Sequence, residues 1–178
     1  MKIPFQYAWI LDEPGPKMLI EALQHVGLLE HKGLDNNVNI LGWAKEVGVA
    51  GWYTADSIPW CGLFMAIIAK RAGHAFLSHK VLAAIEWLKW GKKVLKGEEK
   101  LGDVLIFSRP GGNHVGLYVA ENKVSFLVLG GNQSDSVSFS WIAKSRLVGT
   151  RRPLYNNTPN NIRKIVLNES GNLSTNEQ

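Results

Sequence analysis

The sequence predicts an α+β fold, with helices in the first half of the chain and an antiparallel sheet in the second. Apolar residues recur at helical spacing in four segments before residue 92. After residue 103, short apolar runs alternate with the turn-forming stretches "PGGN", "ENK" and "GGNQSDS". Helices followed by successive strands are typical of α+β proteins, since alternating helices and strands would instead indicate a parallel sheet.

Each of the four predicted helices meets a glycine at or near its end, and glycine commonly ends a helix. The helices are "KMLIEALQHVGLL", which Gly27 stops or kinks, "NVNILGWAKEVG", the segment from Trp60 to Ala72, and the amphipathic "SHKVLAAIEWLKWG". The third helix is apolar on most sides, which predicts a central, buried position. Five strands follow: "VLIFSR", "HVGLYVAE", "VSFLVLGG", a weaker "SVSFSW" and "LVGTRRP".

These elements predict one domain over residues 1–153, with its core at about residues 40–153, because a chain of 178 residues fits one domain of roughly 100–200 residues. The charged segment "KKVLKGEEKLGD" is predicted to be a loop. Residues 154–178 are rich in Asn, Ser and Thr and are predicted to form mainly a loose tail, although "IRKIVL" is compatible with one short element.

Composition excludes several classes of protein. No run of about 18 apolar residues is present, so an integral membrane protein is not expected. The N-terminal stretch lacks the long apolar centre and small-residue cleavage site of a Sec signal peptide. The single cysteine rules out an internal disulfide. The net charge of +5 favours an anionic partner such as wall polymer, phospholipid or nucleic acid, although solubility alone explains it equally well.

The cysteine, Cys61, stands where the apolar third helix begins. Asp56 or Ser57 is placed to cap that helix, and Pro59 is tolerated in its first turn. Unpaired backbone N–H groups and the helix dipole at such a position favour a thiolate, which is the nucleophilic form of cysteine. The alternative is a structural cysteine buried against neighbouring aromatic side chains.

Two polar residues further along the chain are candidate partners for Cys61. His114 opens an apolar strand after a Gly-rich turn, where the sheet holds the imidazole at a cleft as a base. Asn132 follows the next strand, and an Asn there can orient the ring without adding charge. Side-chain alternation predicts that Gln133 points away and that Asp135 lies further into the turn. Taken singly, His114 and Asn132 also fit ordinary turn positions.

Four stretches surround or follow these positions: "IPWCGLFMAIIAKRAG", "LGDVLIFSRPGGNHVGLYVAE", "LVLGGNQSDSVSFS" and "RLVGTRRP". They resemble the NlpC-type and CHAP group of papain-like peptidoglycan hydrolases, the cysteine- and histidine-dependent amidohydrolases and peptidases. The resemblance implies a papain-like fold with N-terminal helices packed on the sheet. It also implies that Cys61 is the nucleophile, His114 the base and Asn132 the orienting residue of an enzyme that cleaves an amide bond in the peptide part of bacterial peptidoglycan.

Further expectations follow from this resemblance. We expect no cofactor and no metal, because no acidic cluster of the calcium-binding kind precedes the cysteine. Trp52, Tyr53, Trp60 and Tyr118 are expected to line the substrate groove, with core packing as the alternative for at least half of them. Without a Sec signal, we expect a monomer that is made in the cytoplasm and acts on the cell wall or in the periplasm after release or non-classical export. The particular bond cut and the biological setting stay open.

The rival interpretation is a non-catalytic basic module that binds wall polymer or nucleic acid, with Cys61 inert. The enzyme is favoured because all three reactive positions occur in the expected order, and nucleic acid is not an expected partner of that enzyme. His74 and His79 lack the partners of a closed zinc site. The stretches "PGGN" and "GGNQ" lack the lysine and following helix of a phosphate loop, so nucleotide binding is not expected.

Overall fold

The computed structural model describes residues 3–31, 33, 35–76, 78–168 and 173–174. Within these residues the chain forms three α-helices, α1 (Lys17–Leu23), α2 (Val38–Val47) and α3 (Cys61–Arg71). It also forms six strands, β1 (Lys92–Val94), β2 (Val104–Arg109), β3 (Gly112–Glu121), β4 (Ser125–Gly130), β5 (Ser138–Ala143) and β6 (Leu147–Arg152). Short 3-10 helices cover Phe5–Asp12, His79–Leu82, Ala84–Lys89 and Lys144–Arg146. The predicted α+β class is confirmed.

The six strands form one antiparallel sheet in the order β1-β6-β2-β3-β4-β5. The five strands predicted from the sequence are all present, and β2 matches "VLIFSR" residue for residue. β1 lies in the charged segment that the sequence pattern assigns to a loop. It is three residues long with two exposed lysines, so it carries no alternating apolar pattern. It forms because β6 offers its backbone a partner, with Val94 opposite Thr150.

The two faces of the sheet carry different cores, because successive side chains of a strand point to opposite faces. α3 packs on one face, and every residue from Cys61 to Ala69 is buried, as the apolar pattern predicted. A smaller cluster forms on the other face from Leu105, Phe107, Tyr118, Phe126, Val128 and Ile142. The position of α3 places its N-terminal end beside the beginning of β3.

The predicted fourth helix is wrong in type. It is two 3-10 helices separated at Ala83, whose backbone is extended with φ −84° and ψ 117°. The indole N–H of the buried Trp87 donates to the carbonyl oxygen of Val81 at 2.9 Å, which ties the second 3-10 helix back onto the first. Packing of this region against Gly62 of α3 brings backbone carbonyl groups close to the helix. Tertiary contacts therefore override the helical periodicity of the segment.

The C-terminal segment, predicted to be a loose tail, binds to the domain in the "IRKIVL" stretch. The N–H of Glu121 donates to the carbonyl oxygen of Ile165, and the N–H of Leu167 donates back to the carbonyl oxygen of Glu121, both at 2.9 Å. The Arg163 guanidinium pairs with the Glu13 carboxylate at 2.6 Å. This stretch, which the sequence left compatible with one short element, is therefore bound to the domain, because its backbone continues the hydrogen bonding at the end of β3.

Residues 169–172 and 175–178 of the predicted tail lie outside the described residues. No helix formed by the part of the chain that the structure describes is long and apolar enough to cross a membrane.

Candidate active site

Cys61 is the first residue of α3, and Trp60 occupies the N-cap position without a side-chain cap. The expectation that Asp56 or Ser57 caps this helix is wrong. The Asp56 carboxylate instead accepts hydrogen bonds from the backbone N–H groups of His31 at 3.0 Å and Asn37 at 2.7 Å. Asp56 therefore fixes the segment before α2, and the backbone N–H groups at the start of α3 remain directed toward the thiol.

Burial of the Cys61 thiol opposes its ionisation. The residue is only 3% exposed, and burial raises the pKa of the thiol above its ordinary value. The backbone N–H groups of Val115 and Gly62 and the positive charge of Arg109 act in the opposite direction, but burial outweighs them. Burial therefore acts against the thiolate that the helix position was expected to favour, although groups that stabilise a thiolate are present. The contact with Val115 places the sulfur beside the backbone of β3, next to His114.

His114 is fully buried at the start of β3, and its Nε2 lies 3.1 Å from Oε1 of Gln133. The amide nitrogen of Gln133 donates to the backbone carbonyl oxygens of Ser138 and Val128. Because the amide donors are used on carbonyl groups, the amide oxygen faces the imidazole and accepts a hydrogen bond from Nε2. The contact fixes the tautomer of a neutral His114, so that Nδ1 is the basic nitrogen.

The structure places Gln133, not Asn132, at the His114 ring, which corrects the assignment made from strand alternation. Strand β4 ends at Gly130, and the backbone then enters left-handed conformations at Asn132 with φ 59° and at Asp135 with φ 57°. Alternation does not extend through such a turn, so the turn redirects the side chains. The sequence places Gln133 in the turn-forming stretch "GGNQSDS", but this pattern does not predict the direction of its side chain.

A small cavity of about 270 Å³ lies at the N-terminal end of α3. It is lined by Glu30, Ser57, Pro59, Arg109, Asn132 and Asp135. The indole N–H of Trp60 donates to the Glu30 carboxylate at 3.0 Å. Burial and the neighbouring carboxylates of Asp135 and Asp56 raise the pKa of Glu30, and the Trp60 hydrogen bond opposes this rise. Sequence reasoning missed Glu30 and Arg109, because nothing in their local patterns marks them.

Three of the four aromatic residues predicted to line a groove are buried instead. Tyr53, Trp60 and Tyr118 are at most 1% exposed. Tyr118 belongs to the cluster on the face of the sheet away from α3, where its hydroxyl donates to the carbonyl oxygen of Ile165 at 3.1 Å. Trp52 keeps an exposed ring, which stacks on His79 with the ring centroids 4.5 Å apart. These three rings therefore belong to the core and do not line a groove, because their large apolar surfaces pack between helices and strands.

Comparison of the chain with protein-family models finds no matching family, and comparison with curated proteins finds no match. Among the described residues, no three His, Cys, Asp or Glu side chains gather into a group suited to a metal ion.

Proposed function

We propose that the protein is a papain-like cysteine peptidase or amidase that hydrolyses an amide bond in the peptide part of bacterial peptidoglycan. The observation that carries this proposal is the orientation of the His114 imidazole. Its Nε2 lies 3.1 Å from Oε1 of Gln133. The next residue, Val115, directs its backbone N–H toward the Cys61 sulfur. A thiol, a base and a polar group that fixes the base are the parts of a cysteine acyl-transfer site. The resemblance to the NlpC-type and CHAP group supplies the substrate class.

The proposed reaction begins with a neutral pair. Burial raises the pKa of the Cys61 thiol and so favours its protonated form. In the proposed step, Nδ1 of His114 takes the thiol proton as the sulfur attacks the amide carbonyl carbon. The carbonyl oxygen becomes an oxyanion, which backbone N–H groups at the start of α3 stabilise. The protonated His114 then donates its proton to the leaving amine as the C–N bond breaks, leaving a thioester on Cys61.

Water completes the cycle. His114, neutral again, accepts a proton from a water molecule, whose oxygen attacks the thioester carbonyl carbon. The C–S bond breaks, the thiolate takes the proton back, and the carboxylic acid product leaves. Gln133 keeps Nε2 protonated throughout, so Nδ1 alone exchanges protons in both halves of the reaction.

A second candidate function, a non-catalytic module that binds wall polymer, is favoured by one observation. Cys61 is almost fully buried, and burial raises the pKa of its thiol. An inert structural cysteine has the same kind of surroundings. On this alternative, the net charge of +5 would attract anionic polymer without hydrolysis.

The Cys61→Ala variant tests the enzyme against the module. We expect wild-type protein to release fragments from purified muropeptides, detected by mass spectrometry, and the variant to release none while its thermal unfolding stays close to that of wild type. Ser145→Ala, which removes an exposed hydroxyl in the 3-10 helix Lys144–Arg146 and lies outside the cavity, is the matched control and should retain hydrolysis. Clearing of permeabilised bacteria by pure Cys61→Ala protein would rule out the cysteine mechanism. Wall binding without fragments from wild-type protein would favour the module.

A further inference from the structure

The cavity beside Cys61 carries charges of both signs. Glu30 and Asp135 supply carboxylates, and Arg109 supplies a guanidinium group. Among the described residues, no ion pair joins Arg109 to either carboxylate, since the only side-chain hydrogen bond of Arg109 goes to the carbonyl oxygen of Asn113 at 3.4 Å. Opposite charges that line one small cavity without pairing are available to a ligand that carries both.

Asn132 gives an independent indication of a ligand. The residue is 3% exposed, it lines the same cavity, and its Oδ1 is buried without a hydrogen-bond partner. A buried amide oxygen without a partner costs free energy, so such groups are rare unless something binds them. The oxygen is an acceptor, so a ligand group bound there donates an N–H or O–H hydrogen bond, and an ammonium is one such donor.

We propose that this cavity binds a zwitterionic amino-acid group of the substrate, with its ammonium held by Glu30, Asp135 and Asn132 and its carboxylate by Arg109. The inference rests on the proposed function, because it names the end group of the peptide whose amide bond Cys61 attacks. Substrates are thus peptides with an unblocked amino-acid centre, meaning a free amine and a free carboxylate on one group, close to the scissile bond.

The size and the fixed positions of the lining groups agree with such a ligand. A cavity of about 270 Å³ has room for a compact polar group, and its mostly polar and charged lining favours such a group over an apolar side chain. The hydrogen bond from the Trp60 indole fixes the Glu30 carboxylate, so binding an ammonium costs little ordering of that side chain. The positive charge of an ammonium also relieves the repulsion between the Glu30 and Asp135 carboxylates, which is one cause of the raised pKa of Glu30.

Binding is tested with the Cys61→Ala protein and three synthetic peptides that share one scissile amide. The first peptide has an unblocked amino-acid centre, the second is acetylated at its amine and the third is amidated at its carboxylate. By isothermal titration calorimetry we expect each blocked peptide to bind about tenfold more weakly, or worse, because each loses a charge-assisted hydrogen bond. Equal affinity for the three peptides would overturn the proposal.

Variants assign the effect to residues. In the Cys61→Ala background, Glu30→Gln and Asp135→Asn should each reduce the loss of binding affinity, here called the penalty, that acetylation of the peptide causes. Arg109→Gln should reduce the corresponding penalty of amidation. Glu98→Gln removes an exposed carboxylate on the loop after β1 and should leave both penalties unchanged. Unchanged penalties in all three cavity variants would contradict the assignment.

Hydrolysis by wild-type protein separates this inference from the proposed function. If wild type cleaves all three peptides equally well, the binding site is wrong and the proposed function stands. If the Cys61→Ala protein prefers the unblocked peptide but wild type cleaves none, the proposed function is wrong and the binding site stands.

Discussion

At the scale of single residues, the site depends on which side chain meets His114. The amide of Gln133 contacts both the imidazole and the backbone of neighbouring strands, whereas Asn132 turns toward the cavity. The two neighbours in sequence are therefore expected to act at different steps. We expect Gln133 to position the proposed base and Asn132 to contact the substrate.

Replacing Gln133 with Ala should lower kcat by 10-fold to 1,000-fold, or about 1.4–4 kcal/mol, because His114 loses the acceptor that fixes its tautomer. Gln133→Glu keeps an acceptor at the ring and should restore part of the rate. Turnover on one muropeptide is the measurement, with thermal unfolding as the check on folding. Asn132→Ala should act mainly on KM, and a larger kcat loss at Asn132 than at Gln133 would show that the roles are reversed.

The pH dependence of Cys61 alkylation follows from its burial. Because burial raises the pKa of the thiol, the thiolate fraction in the folded protein stays low at neutral pH and grows only above the ordinary thiol pKa of about 8.5. Iodoacetamide labelling, followed by mass spectrometry, should be slow at pH 6 and should accelerate through the alkaline range. Fast labelling that persists at pH 5 would contradict the neutral thiol and indicate a thiolate–imidazolium pair.

At the scale of secondary-structure elements, close backbone contacts set the position of α3. A Cβ atom at Gly131 would lie 2.6 Å from Cβ of Phe64 and 2.7 Å from Cζ3 of Trp60, so the loop after β4 packs tightly on the first turn of α3. This contact brings the loop that carries Gln133 to the same end of the helix as Cys61. The site is therefore assembled by the packing of α3, β3 and the loop after β4.

Gly62→Ala tests how tightly the start of α3 is held. An added Cβ would lie 2.3 Å from the Val81 carbonyl oxygen and 2.5 Å from that of Leu82, and backbone at this distance must shift. We expect a loss of about 1–3 kcal/mol in unfolding free energy, together with reduced turnover because Cys61 moves with the helix. Denaturant unfolding measures the loss.

Gly42→Ala is the matched control for Gly62→Ala. Gly42 is exposed in α2, and no atom lies within 4 Å of its added Cβ. Alanine at that position should raise the unfolding free energy by about 0.5–1 kcal/mol through helix propensity and leave turnover unchanged. A similar loss at both glycines would mean that α3 is not tightly packed at its start.

At the scale of the whole molecule, the net charge of +5 should speed association with anionic cell walls. Lysis should weaken as salt rises through about 0.1–0.5 M, where the screening length falls below about 10 Å. Turbidity clearing of permeabilised bacteria measures this effect, and hydrolysis of small neutral muropeptides is the control that should change much less. Equal salt sensitivity on both substrates would count against electrostatic targeting.

The sequence by itself determined the α+β class, the five longer strands and the apolar helix that begins with Cys61. These features follow from short-range regularities, since apolar periodicity and turn-forming glycines act within a few residues of one another. Cys61 and His114 were singled out as candidates in the same way, because the start of a helix and the start of a strand are both marked in the local pattern.

Tertiary structure alone decided β1, the two 3-10 helices in place of a fourth helix, and the attachment of the "IRKIVL" stretch. It also decided which polar side chain contacts His114 and that burial raises the pKa of the Cys61 thiol. Each of these depends on contacts between distant segments: β1 needs the edge of β6, and the left-handed turn after β4 redirects Gln133. Glu30 reaches the site from 31 positions before Cys61 through its hydrogen bond with Trp60. Periodicity carries no information on such contacts, because burial and side-chain direction are set by the assembled core.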